Sequence, residues 1–176
     1  MNNFGLLIKL VEGKELTLEE AKSLGKTQDA DLRFPFRYLT RNEDIGGGCF
    51  GRVLKISGKM NLVVKEPRSK NFTKSIIHGY EIQKKAFEKG LNCPKPEGLF
   101  NFYNYSGKAW YMGFVMGYII DSKAYMGNDI FELINKEIEK FEKKGFNPSS
   151  DAGFNNSLIN NGKVYLIDFD NWETSP

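Results

Sequence analysis

Apolar and polar residues along this chain fall into short runs separated by clear stop signals. RVLKI (52–56) and NLVVKE (61–66) are rich in β-branched and aliphatic residues, and SGKM between them is a hairpin-sized connection, so two paired strands are predicted. In FTKSIIHGYEIQKKAFEK (72–89), Ile76, Ile77, Tyr80 and Phe87 recur at roughly helical spacing, and Gly90 stops the helix. LFNFYNY and KAWYMGFVMGYII, separated by SGK, predict two further strands. NDIFELINKEIEKFEKKG sets Ile130, Leu133, Ile134, Ile138 and Phe141 on one face of a helix that ends before Gly145. NPSSDAGFNN is loop by composition, and SLI and KVYLIDF flank the turn NNG as a last hairpin. Towards the N-terminus, TLEEAKSL (17–24) opens with Thr17 and carries Glu20 three residues on, a capping box for a short helix. RFPFRYLTRNEDI then leads, as one more strand, into a glycine run.

The order is strand, strand, strand, helix, strand, strand, helix, loop, hairpin. That is not the alternating rhythm of a parallel doubly wound sheet, and it predicts an α+β fold. At 176 residues the chain is one domain, or one domain with an appendage. Its 40% hydrophobic and 27% charged residues are ordinary for a globular protein, which argues against disorder. The net charge of +3 is interspersed along the chain, so no polybasic stripe marks a nucleic-acid partner, and an anionic small ligand fits better. Cys49 and Cys93 form no CxxC or Cys/His cluster, which signals neither zinc nor a disulfide framework. No apolar run approaches the ~20 residues of a membrane span, and MNNFGLLIKLVEG lacks the features of a signal peptide. A cytoplasmic location is expected, or delivery into a host cytosol by a signal-independent route, with no membrane partner.

The candidate chemistry begins at GGGCFGRV (46–53). A dinucleotide-binding G-x-G-x-x-G must end a strand and open a helix, whereas these glycines lead into RVLKI. A P-loop needs Lys-Ser/Thr after the second glycine of G-x-x-x-x-G; Gly46 and Gly51 have the spacing, but Arg52-Val53 follows. The third pattern, G-x-G-x-x-G-x-V with a lysine on the next strand, is met by Gly46, Gly48, Gly51 and Val53, and then by Val63-Val64-Lys65. Glycine suits such a loop because backbone amides must approach phosphate oxygens with no Cβ in the way. A turn with no ligand would account for the loop taken alone. Further along, Asp151 is followed five residues later by Asn156, and Asp168 stands in LIDFD.

The ordered set resembles the protein-kinase-like superfamily over about residues 42 to 172. The resemblance implies a bilobal fold, with an appendage at 1–40, an N-lobe at 41–117 and a minimal C-lobe at 118–176. The N-lobe would hold a five-stranded antiparallel sheet and one helix, and the C-lobe one main helix and one hairpin. It also implies ATP- and Mg²⁺-dependent transfer of a phosphoryl group to a hydroxyl. Residues Gly46, Gly47, Gly48, Cys49, Phe50 and Gly51, with Val53, would cover the phosphates. Lys65, braced by Glu81, would orient them. The backbone from Met116 to Tyr118 would lie against adenine, Asp151 would handle the acceptor hydroxyl, and Asn156 and Asp168 would hold Mg²⁺, aided by Asp170. Trp110, Tyr111, Phe114 and Met116 are expected in the core, His78 as an ordinary helix residue, and Trp172 as packing for the C-terminus.

Two departures from the family pattern matter. Ser149 stands where His or Tyr is usual two residues before the catalytic Asp, and Asp170 replaces the glycine of D-F-G. The D-F-D ending resembles RIO-type kinases, lipopolysaccharide-sugar kinases and antibiotic phosphotransferases. With the few residues after Asp168, no activation segment is expected, as in pared-down bacterial effector and phage kinases. The expected acceptor is a protein. The alternatives are a sugar or antibiotic acceptor, or a pseudokinase that serves as a binding and regulatory module.

Overall fold

The computed structural model describes residues 40–56, 61–104, 109–121, 129–150 and 152–175. The helix expected at 17–24, the connections SGKM and SGK, and Asp151 lie outside the described residues.

The expected α+β organisation is present. Strands β1 (Thr40–Gly47), β2 (Gly51–Ile56), β3 (Leu62–Pro67), β4 (Pro96–Asn104) and β5 (Ala109–Gly117) form one five-stranded sheet in the order β1-β2-β3-β5-β4. The β1–β2, β2–β3 and β3–β5 pairs are antiparallel. β3 is the middle strand, and all six of its residues are buried, including Lys65 and Glu66. That is why LVVKEP lacks the polar-apolar alternation of a half-exposed strand. Two register irregularities interrupt β1 between Thr40 and Gly46, just before the turn into β2.

A short 3₁₀ turn, Lys70–Phe72, precedes helix α1 (Thr73–Glu88). Helix α2 spans Ile130–Lys143. Both helices stop where expected, with Gly90 (φ 74°) and Gly145 (φ 82°) taking the left-handed conformation that costs glycine least. The buried face of α2 is Ile130, Ile134, Glu137 and Phe141, with Leu133 and Ile138 partly buried beside it, close to the predicted face. The buried stripe of α1 keeps Ile76 and Tyr80 of the predicted face, but leaves Ile77 only partly buried and turns Phe87 outward, 40% exposed. It runs through Ile76, Gly79, Tyr80, Ile82, Gln83 and Ala86. Periodicity was misled because the inner stripe uses a glycine and a glutamine. Gln83 is tolerated inside because its Nε2 donates to the Pro94 carbonyl at 2.7 Å.

The described residues divide into two compact units. The first takes the chain up to Ile77 together with Glu97–Gly117, with a core of Leu54, Val64, Ile76, Phe114 and Val115. The second takes His78–Pro96 and the chain from Tyr118 onwards. It contains α2, the hairpin of β7 (Ser157–Asn160) and β8 (Lys163–Leu166), and a two-residue pairing of β6 (Phe146–Asn147) with β9 (Glu173–Thr174). Its core is strongly aromatic: Phe141 meets Phe146, Phe169 and Trp172 at ring-centroid distances of 5.8, 5.9 and 5.3 Å. Among the described residues, no helix is long and apolar enough to cross a membrane.

Candidate functional site

In the first unit the glycine run is a hairpin turn between antiparallel strands. Gly46 and Gly47 end β1, Gly51 opens β2, and the Gly48 amide donates to the Gly51 carbonyl at 2.9 Å. Two of these glycines are required by the hairpin itself. A Cβ on Gly47 would meet the Gly51 oxygen at 2.7 Å and the Arg52 Cα at 2.8 Å. One on Gly51 would meet the Glu66 oxygen at 2.8 Å and the Ile76 Cδ1 at 2.9 Å. Gly46 faces open space, and its amide donates to Asp44 Oδ1 at 3.1 Å.

Lys65 sits on β3 opposite Val53 of β2 and Phe114 of β5. Side chains alternate along a strand, so Gly51 and Val53 share a face. Because the position of Gly51 faces Ile76, Lys65 and Val53 lie on the side of the sheet that the first turns of α1 cover. Lys65 is only 6% exposed. Met116 ends the same region, buried and opposite Val63, and Tyr118 is half-buried just after β5.

The opposite face carries a pair that pattern reading missed. Arg52 is cross-strand from Glu66, and the two form an ion pair. Glu66 is almost fully buried and its Oε2 has no hydrogen-bond partner. Burial pushes its carboxyl above the ordinary 4.5, and Arg52 only partly opposes this. A carboxyl whose folded value is raised favours folding most when protonated. That stability is therefore complete below about pH 4.5 and is lost as pH rises through the folded value. Glu66→Gln is expected to flatten this slope. Urea midpoints measured across the window should converge on the variant's at the acid end, and parallel curves for the two proteins would refute the assignment.

In the second unit the hairpin brings Asn156 and Asp168 to one end. The β7–β8 register pairs Ser157 with Leu166, and the Ile167 amide extends it by donating to the Asn156 carbonyl at 3.0 Å. Asp168 follows immediately, in the left-handed region at φ 63°, a conformation Asp tolerates better than most residues. Both side chains are half-buried. Upstream, the Ala152 amide donates to the Ser149 carbonyl and the Asn156 amide to the Gly153 carbonyl. Among the described residues, no three His, Cys, Asp or Glu side chains cluster as a metal site.

The segment after Asp168 is anchored by burial. Phe169 is 1% exposed in the aromatic core and Trp172 likewise. Asp170 is buried with its Oδ1 turned towards α1, where a Cβ on Gly79 would come within 2.2 Å of it. The adjacent His78 bonds the Trp172 carbonyl through Nε2 at 2.7 Å; since a carbonyl only accepts, Nε2 carries the proton. His78 thus has a structural partner. Gly79→Ala is expected to destabilise the second unit by about 1–3 kcal/mol, read from urea denaturation. Unchanged stability would mean that Asp170 can move aside without loss. Glu81, two residues further along α1, is exposed. Of the thiols, Cys49 is exposed at the turn, whereas burial pushes the Cys93 thiol up to about 12. Compared with known proteins, the sequence matches no family model and no curated protein.

Proposed function

We propose that this protein is an ATP- and Mg²⁺-dependent phosphotransferase, a minimal atypical protein kinase of the protein-kinase-like superfamily. The observation that carries the reading is the placement of Lys65. It is a buried lysine on the central strand, directly across from Val53 in the strand that the glycine turn feeds. That position puts a cationic side chain on the same face of the sheet as Val53, beside the glycine turn, and a lysine beside such a turn suits recognition of phosphate oxygens. The pairing of Asn156 with the residue next to Asp168 adds support, because an amide and a carboxylate oxygen are hard donors that suit Mg²⁺.

In this reading the amides of residues 46–51 face phosphate oxygens, Lys65 neutralises and orients them, and Glu81 braces Lys65. Met116 and Tyr118 contribute backbone to the adenine position. Asn156 and Asp168 would hold Mg²⁺, which when bound offsets charge on the phosphates. Asp151 orients the acceptor hydroxyl and takes its proton. Catalysis of this kind is mainly positioning and charge stabilisation, which is why so few parts suffice. The acceptor is proposed to be a protein hydroxyl in a cytosol, with a sugar or antibiotic as the alternative within the class. Ser149, in place of the usual His or Tyr, favours the second reading, a pseudokinase that binds a partner and transfers nothing.

The test is calorimetry with ATP and Mg²⁺. Wild type should bind, and Lys65→Ala should bind at least about tenfold more weakly, the loss expected for one charge-assisted contact. A wild type that gives no heat with ATP and Mg²⁺ would end the nucleotide reading.

A further inference from the structure

The glycine turn is tied to the chain just after β3 at three points, all within the first unit. The Arg68 amide donates to the Phe50 carbonyl at 3.0 Å, and the Arg68 side chain donates through Nε to the Gly48 carbonyl at 2.9 Å. The Phe50 ring meets Phe72 edge-on, with centroids 5.5 Å apart and planes at 77°. The turn residues Gly46 to Cys49 are otherwise exposed, and the Arg68 side-chain bond is itself exposed.

Those ties fix more than the position of the turn. A trans peptide is planar, with its C=O and N–H pointing in opposite directions, and no described peptide bond is cis. Holding the Gly48 carbonyl on Arg68 therefore turns the Cys49 N–H away from Arg68. Holding the Phe50 carbonyl on the Arg68 amide turns the Gly51 N–H away in the same manner. The Gly46 and Gly48 amides are already engaged, by Asp44 Oδ1 and the Gly51 carbonyl. Glycine-rich backbone has little preference of its own, so an external tie decides which way its peptide planes face.

We propose that Arg68 is a positioning residue for anion binding: its side chain sets the Gly48–Cys49 peptide plane so that the Cys49 amide is presented to phosphate oxygens, while its backbone amide, which every substitution below keeps, holds the Phe50–Gly51 plane. This rests on the phosphotransferase reading and adds to it a residue outside the glycine-lysine pattern. Three substitutions separate orientation from charge. Arg68→Gln removes the charge but places an N–H donor at the same distance from the backbone as Nε. Arg68→Lys keeps the charge but moves the donor one bond further out. Arg68→Ala removes both. Because the side chain is exposed, all three are compatible with folding.

Binding of ATP with Mg²⁺, of inorganic tripolyphosphate with Mg²⁺ and of adenosine would be measured for wild type and the three variants. Arg68→Ala should lose about tenfold for ATP and for tripolyphosphate, with adenosine unchanged. Arg68→Gln should stay close to wild type and Arg68→Lys close to Arg68→Ala. If Arg68→Ala binds ATP like wild type, the positioning role is overturned alone. It is also overturned if Lys preserves binding while Gln does not, which is simple charge attraction, or if adenosine weakens equally, which is loss of structure. A wild type silent to both ATP and tripolyphosphate overturns it together with the phosphotransferase reading.

Discussion

Asp168→Ala is expected to abolish Mg²⁺-dependent ATP binding and phosphoryl transfer together, whereas Asp151→Asn should keep ATP affinity within a few-fold and lose transfer. In the proposed reaction Asp168 is a metal ligand. It acts on the phosphates in the ground state and the transition state alike, so its loss should appear in affinity as well as in rate. In the same proposal Asp151 would act on the acceptor alone, and a group that orients and deprotonates a nucleophile typically supplies ~10²–10⁴-fold in rate. Transfer by Asp151→Asn should therefore fall by roughly two orders of magnitude or more. Radiolabelled ATP with Mg²⁺ and a cell lysate as acceptor source reads both quantities. If wild type and Asp151→Asn show the same faint ATP consumption and no labelled protein or sugar, the enzyme reading is wrong and the pseudokinase stands.

The largest expected effect on stability comes from Phe141→Ala. This ring is fully buried on α2 and stacks or meets edge-on with Phe146, Phe169 and Trp172. Removing it leaves a cavity where the helix, the β6–β9 pairing and the segment after Asp168 converge, and such truncations cost about 3–5 kcal/mol. That is a large fraction of the ~5–15 kcal/mol that typically separates folded from unfolded chains. Denaturant unfolding should show it, and Phe141→Leu, which keeps much of the volume, should cost less. A loss well under 1 kcal/mol would mean the aromatic cluster can close over the gap. Because Phe169 stacks on Phe141, the Ala variant should also weaken Mg²⁺-dependent binding through displacement of its neighbour Asp168.

What could be read from the sequence was whatever leaves a local signature. The two helices, their glycine stops, the strand pairs and the last hairpin all follow from spacing and turn residues, and the α2 face was legible because large aliphatic residues mark it. The inner stripe of α1 was legible only in part, because Gly79 and Gln83 carry no hydrophobic signal; they are inside owing to Asp170 and to the Pro94 carbonyl. The β6–β9 pairing has only two residues on each side, too short for any periodicity. At the candidate site, the closeness of Asn156 to Asp168 was implicit in a short turn between two strands. The Arg52–Glu66 pair and the hold of Arg68 on Gly48 depend on the exact register of β2 against β3 and on how far side chains reach across it, which a hairpin signal does not encode.

The interleaving of the two units bears on how the chain can be cut. Residues 78–96 lie between the third and fourth strands of the first unit, yet Ile82, Ala86, Leu91 and Cys93 are buried in the core of the second. A contiguous fragment carrying the whole sheet thus also carries a stretch whose apolar partners, Phe141, Phe169 and Trp172 among them, are encoded far downstream. Expressed alone it would display that stretch to solvent, a patch of the sort that drives aggregation. A fragment beginning after the sheet would lack the same residues and leave its aromatic core uncovered. Dissection into separately soluble halves therefore requires a circular permutation or a grafted linker bridging Ile77 to Glu97, and a simple truncation will not serve.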